Sequence, residues 1–200
     1  MCNYVSCHDN HTLWDRLTIS NPADGVATRQ RMHRLALATV LTSQGIAFLH
    51  AGTEMFRSKG GDENSYKSPD AVNAIKWEEK GRHRATVDYV RDLIALRKGH
   101  PAFRMRATDT IARHLTFGEK SDGQLITYRI QNAPGEDWAD VLVALNAHAG
   151  RQEIQLPEGT WRQVVDGSRV QEAGLDNAEY TDRVYVEAIS ANVFFRAAEE

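Results

Sequence analysis

Two parallel βα units followed by an antiparallel β-sandwich is the fold that this 200-residue sequence predicts. Three observations carry the prediction. Up to Pro101, short apolar runs alternate with helical patterns, and beyond it the apolar period changes to two. Clusters of Gly, Pro, Asp and Asn then separate the apolar runs at short intervals, as in a sandwich of about a hundred residues. Charge divides in the same way. Residues 1–100 carry 14 Lys/Arg against 11 Asp/Glu, and residues 101–200 carry 10 against 16, so a net +3 is followed by a net −6.

The elements follow in order. Asn3 to Cys7 reads as a short buried strand ending in the polar cluster His8-Asp9-Asn10-His11. Asn21-Pro22-Ala23-Asp24-Gly25 is a strong turn signal. Residues 27–43 are predicted helical, with Met32, Leu35, Ala36, Thr39 and Val40 at spacings of three and four. Gly45 restarts the chain, and Ile46 to Leu49 is the second strand. A polar loop from about Arg57 to Asp70 holds Gly60-Gly61 and Ser68-Pro69. A helix over 84–98 sets Val87, Val90, Leu93, Ile94 and Arg97 on or beside one face, and Gly99-His100-Pro101 stops it.

Strand, helix, strand, helix implies parallel pairing, with functional residues on the loops after the strands. Two strands are too few for a parallel sheet covered on both faces. The first hundred residues therefore read as part of a larger α/β domain that begins before Met1. In the second half, Ile126, Tyr128 and Ile130 share one strand face, and Val141 to Leu145 is wholly apolar. Ile154 and Leu156, Trp161 to Val165, Val184 to Ile189 and Val193 to Arg196 supply further strands, with no helical pattern among them. Trp138 and Trp161 suit a core. The predicted domains are 1–101 and 102–200.

Composition removes some function classes. The 42% hydrophobic and 26% charged content is that of a globular protein. No apolar run reaches the 18 or so residues of a membrane span, and no basic block marks a nucleic-acid footprint. No charged, then apolar, leader opens the chain, and localisation stays unassigned. Cys2 and Cys7 fall on opposite faces of a strand, which predicts two buried free thiols.

His8-Asp9-Asn10 is the leading chemical candidate because of its place just past a parallel strand. A carboxylate and an imidazole there offer directional hydrogen bonds to neighbouring sugar hydroxyls. As bare letters the triplet also fits an Asx-turn. His8 and His11 lack a third ligand, so no metal is assigned. Asp62-Glu63-Asn64 is acidic but lacks the spaced ligands of a calcium loop. No nucleophile elbow and no glycine-rich phosphate cradle is present.

Three motifs carry a resemblance. Residues 4–15, YVSCHDNHTLWD, are similar to the fourth conserved region of α-amylase-superfamily glycosidases in its pullulanase form. Residues 41–54, LTSQGIAFLHAGTE, resemble the segment holding that superfamily's eighth barrel strand. Residues 59–77, KGGDENSYKSPDAVNAIKW, are similar to the loop that follows it in type I pullulanases.

The resemblance implies the last two βα units of a (β/α)8 TIM barrel of glycoside hydrolase family 13, followed by an antiparallel β-sandwich C-terminal domain. It implies a retaining glycoside hydrolase acting on α-1,6 bonds of a branched α-glucan such as pullulan, starch or glycogen. Asp9 matches the carboxylate that stabilises the transition state by holding ring hydroxyls at the cleavage subsite. His8 matches the imidazole bonding the same sugar, and Asn10 orients the pair. Asp70 and Asn73 match loop positions that contact the next sugars. Trp14 suits stacking on a sugar face or simple packing, and Trp77 reads as packing. His50 and Glu54 read as supports beside the eighth strand. The nucleophilic Asp and the acid Glu of the family lie before this chain begins, so the chain alone is expected to be inactive. No cofactor is assigned, calcium being left open, and no nucleic-acid, membrane or protein partner is expected. Other readings stay open: an isoamylase or branching enzyme, a non-catalytic carbohydrate-binding or interaction module over 102–200, or a stand-alone protein starting at Met1.

Overall fold

The computed structural model describes residues 1–118 and 123–198. The predicted domain 102–200 therefore includes a few positions, 119–122 and 199–200, outside the described residues. Strand β1 (Cys2–Asn3) pairs in parallel with β2 (Ile46–Ala47), Cys2 opposite Ile46 and Asn3 opposite Ala47. Both are shorter than the predicted strands over 3–7 and 46–49, because a ladder needs hydrogen-bonded neighbours and this sheet has two strands among the described residues. Gly45 enters β2 at φ +96°, where a Cβ would stand 2.9 Å from the Met1 carbonyl oxygen. Glycine permits that approach. Cys2 is exposed and Cys7 half-buried, both free, so the expectation of buried thiols fails with the shortened strand.

Between the strands run α1 (Leu13–Ser20) and α2 (Val26–Thr42). The first was not predicted; Thr12 caps it by accepting from the Asp15 N–H at 3.1 Å. In α2 the buried positions are His33, Leu37, Ala38, Leu41, Thr42 and, of those expected, Val40, while Met32, Leu35, Ala36 and Thr39 are only half-buried. The expected face is rotated because α2 lies between two partners. It packs on α5 (Arg84–Gly99) to one side and on the sheet strands β5 (Trp138–Asn146) and β10 (Ser190–Ala197) to the other. Two short helices, α3 (Asp70–Asn73) and α4 (Glu79–Arg82), interrupt the loop before α5. Helix α5 buries Thr86, Tyr89, Val90, Leu93 and Leu96, a three/four stripe. Its Arg97 donates to the carbonyls of Leu41, Ser43 and Gly45 at 2.9, 2.7 and 2.6 Å, satisfying groups that the end of α2 leaves unpaired.

A 3₁₀ turn (Pro101–Arg104) and helix α6 (Thr108–His114) lead into the β-rich half. The sequence showed no helical pattern here, and α6 has none to show: it is seven residues long with no buried side chain. The strands are β3 (Leu115–Phe117), β4 (Leu125–Gln131), β5 (Trp138–Asn146), β6 (Gln152–Gln155), β7 (Trp161–Asp166), β8 (Glu179–Tyr180), β9 (Arg183–Val186) and β10 (Ser190–Ala197). Six of them form an antiparallel sheet in the order β3-β4-β5-β10-β7-β8, and β6 pairs with β9.

Two cores explain the hydrophobic pattern. Val141, Val143 and Leu145 of β5, with Val193 and Phe195 of β10, face the helices and join Leu37, Leu41, Val90 and Leu93. The alternate residues Leu142, Ala144 and Phe194 face β6 and β9 and join Ile154, Trp161, Val184 and Val186. That is why Val141 to Leu145 is apolar throughout: both faces of β5 are covered. The sheet lies between a helical layer and a two-stranded one, so the sandwich's second sheet is small and its other cover is α2 and α5. Trp138 stacks between His100 and Phe195, with ring centroids 3.5 and 4.4 Å apart, fastening the end of α5 to the sheet.

Candidate active site

Parallel pairing brings the segments after β1 and β2 out at the same end of the sheet. His8, Asp9 and Asn10 occupy a bend after β1 and are exposed. The Asp9 side chain accepts from the Asn10 N–H at 3.0 Å through Oδ1. Asn10 sits in the left-handed region at φ +64°, which asparagine tolerates better than most residues. The bond reaches only the next residue and not the one after it, so it is not the Asx-turn that the triplet also fits, and the Asp9 side chain stays exposed. An ionised carboxylate has about four lone-pair sites, and this bond uses one.

The segment after β2 is a linked network. Burial first, then Arg57, Lys59 and His8, hold the His50 pKa below the usual imidazole value. Arg57 Nη1 donates to His50 Nε2 at 3.3 Å and to the Ala51 carbonyl at 3.1 Å, and Nη2 donates to the Asn73 carbonyl. The Asn73 amide donates in turn to the carbonyls of Ser65 and Ser68 at 2.6 and 2.9 Å. Lys59, buried, donates to Ser65 Oγ at 2.6 Å. From α1, buried Asp15 accepts from Ser58 Oγ at 2.5 Å and from the Lys59 N–H at 2.8 Å. The turn after β1 and the loop after β2 are therefore tied through α1.

Asp62 is occupied within its own loop, accepting from Asn64 N–H and Ser68 Oγ at 2.9 and 2.5 Å. Those bonds, Ser68 first, hold its carboxyl below the usual range. No group of three or more metal-ligating side chains occurs among the described residues.

Trp14 lies in a ring cluster, with centroids 5.0 Å from Phe56 and 6.1 Å from His33. An adjoining cavity of about 290 Å³ is lined by Trp14, Phe56, Arg57, Glu79 and His83 among others, and by none of His8, Asp9, Asn10, Asp70 or Asn73. Asp70 opens α3 and is exposed. Trp77 is 63% exposed, against the expectation of packing, because it lies on the link between α3 and α4 and not on an element seated on the core.

The all-β domain family of pullulanases matches residues 111–169. The pullulanase of Bacillus subtilis (strain 168) is 38% identical over 199 residues, which is 98% of this chain and 27% of that protein. A pullulanase structure from Bacillus acidopullulyticus superposes with a TM-score of 0.93 at 39% identity, over 98% of this chain and 24% of that one. The chain belongs to the pullulanase family. The type I pullulanase of Bacillus subtilis, solved in complex with maltose, superposes with a TM-score of 0.92 at 37% identity, over 98% of this chain and 27% of that one. The chain thus spans about a quarter of the length of the pullulanases it matches, and its helix-plus-antiparallel-sheet architecture matches their C-terminal region.

Sequence reasoning missed Asp15, Arg57, Lys59 and Ser65 as organisers of the loop after β2. For Arg57, Lys59 and Ser65 the one visible signal was compositional, charged and hydroxyl residues crowded around Gly60-Gly61, which reads equally as a solvated loop; Asp15 carried none.

Proposed function

We propose that this chain is the C-terminal part of a type I pullulanase-like debranching enzyme, which hydrolyses α-1,6-glucosidic bonds of pullulan, starch or glycogen with retention. In this reading β1 and β2 are the last two strands of a (β/α)8 barrel. Residues 1–101 complete the catalytic domain and 102–200 form its C-terminal β-domain. The observation that carries the reading is that His8-Asp9-Asn10 and the His50–Arg57–Asn73 network follow the two strands of one parallel pair and so leave it at the same end. In barrel enzymes that end of the strands bears the chemistry.

Asp9 is the transition-state stabiliser. Its carboxylate grips ring hydroxyls, and those bonds strengthen as the ring flattens and positive charge grows. His8 adds a hydrogen bond to the same sugar, Asn10 fixes the turn, and Asp70 and Asn73 serve the next sugars. Trp14 borders this region and either stacks on a sugar or supports the loop through Phe56. A glucan ligand is supported by the maltose complex of the Bacillus subtilis relative.

A retaining glycosidase also needs a nucleophile and an acid carboxyl about 5–5.5 Å apart. Asp15 is unsuited to either role, being buried with both oxygens engaged by Ser58 and Lys59. The resemblance to the family implies that the pair is supplied by residues outside this chain. The purified 200-residue chain should release no reducing ends from pullulan, whereas the complete enzyme containing it should. Hydrolysis by the chain alone would overturn the assignment of the missing carboxylates.

A further inference from the structure

We propose that Arg57 is a positioning residue, which fixes the loop stretch 65–73 against the His50 imidazole. The proposal rests on the function proposed above for this loop. The backbone around Arg57 is built to seat it. Its N–H donates to the Gly52 carbonyl at 3.0 Å, and its stem lies where a side chain at 52 would stand: a Cβ there would be 2.9 Å from Arg57 Cδ and 3.0 Å from its Cβ. Gly52 is at φ +89°, and Phe56, just before Arg57, is also left-handed at φ +60°. A bulky residue at positive φ is held there only when its surroundings over-determine it.

The guanidinium then spans what no shorter or single-pronged group spans. One nitrogen holds His50 Nε2 and the Ala51 carbonyl, and the other holds the Asn73 carbonyl sixteen residues on. Asn73 passes the constraint to Ser65 and Ser68. A planar fork suits such bridging, and a lysine ammonium does not.

The His50 bond has a protonation requirement. Arg57 donates to Nε2, so the imidazole must be unprotonated at that nitrogen. Arg57, Lys59 and His8 are the charged or titratable groups that act on His50, and with burial they oppose its protonation. Acidification that protonates His50 breaks the bridge and sets an imidazolium beside the guanidinium.

The test compares wild type, Arg57→Met, Arg57→Lys and Gly52→Ala in the complete enzyme containing this chain. All three variants should raise KM for a branched maltooligosaccharide about tenfold, the scale of one charge-assisted hydrogen bond, with kcat within about threefold. Wild-type KM should rise as pH falls below the ordinary imidazole range, and in Arg57→Met that rise should vanish, KM being high throughout. In the 200-residue chain, Arg57→Met should speed amide exchange at Ser68, Asn73 and Ala74 about tenfold. A KM within twofold of wild type in Arg57→Met, an unchanged pH dependence of KM, or unchanged exchange at those amides would each overturn the positioning role. Failure of the unsubstituted enzyme to cleave α-1,6 bonds would instead overturn the function proposed above, and the exchange measurement would still decide the role of Arg57 in the loop.

Discussion

His33 Nε2 lies 2.7 Å from the carbonyl oxygen of Thr53, and the ring is wholly buried between α2 and the turn that follows β2. The carbonyl can only accept, so Nε2 carries the proton of a neutral imidazole. Burial, partly offset by that bond and reinforced by Arg34, brings the pKa down to about 4.

A pH dependence of folding follows. The unfolded imidazole titrates near 6.5, so between there and about 4 the unfolded chain binds a proton that the folded chain refuses. Stability from this group is complete above about pH 6.5 and is lost as pH falls toward 4, by about 3 kcal/mol in all. Urea unfolding of the chain at pH 7.5 and 4.5 should show the loss, and His33→Phe should flatten it. An equal pH dependence in His33→Phe would place the acid sensitivity elsewhere.

Asp70 and Asn73 should separate experimentally, although the sequence reading gave them one role. Asn73 holds Ser65 and Ser68, whereas Asp70 is an exposed side chain at the start of α3. Asn73→Ala should lower stability by about 1–2 kcal/mol through two lost hydrogen bonds and raise KM as well. Asp70→Ala should leave stability within about 0.5 kcal/mol and raise KM for longer branches only. Thermal unfolding beside Michaelis kinetics on two chain lengths distinguishes them. Equal loss of stability in both variants would contradict the division.

Much of the fold was legible in the sequence, and the exceptions share a cause. The central strands β4, β5, β7 and β10 followed from apolar period, since burial on one face or both leaves an unmistakable pattern in strands of six or more residues, as in the apolar run Val141 to Leu145. Helix α6 and strand β8 are too short and too wet to leave a period. The buried face of α2 was misjudged because a helix covered on two sides has no single apolar stripe, and its buried set includes His33. At the candidate site, His8-Asp9-Asn10 stood out through position after a strand. Arg57 and Asp15 did not, because their importance lies in bonds to Asn73 and Lys59, sixteen and forty-four residues away. Long-range polar pairing leaves no local signature.

The turnover of Asp9→Asn in the complete enzyme tests the central claim most directly. The substitution keeps the shape and the turn but removes the charge that should grip the sugar hydroxyls as the oxocarbenium-like state forms. An interaction of several kcal/mol made chiefly in the transition state predicts a kcat on pullulan lower by about two to four orders of magnitude, with KM changed only a few-fold. His8→Ala should cost less, because a neutral hydrogen bond is weaker than a charged one. A folded Asp9→Asn enzyme whose kcat stays within a few-fold of wild type would contradict the account.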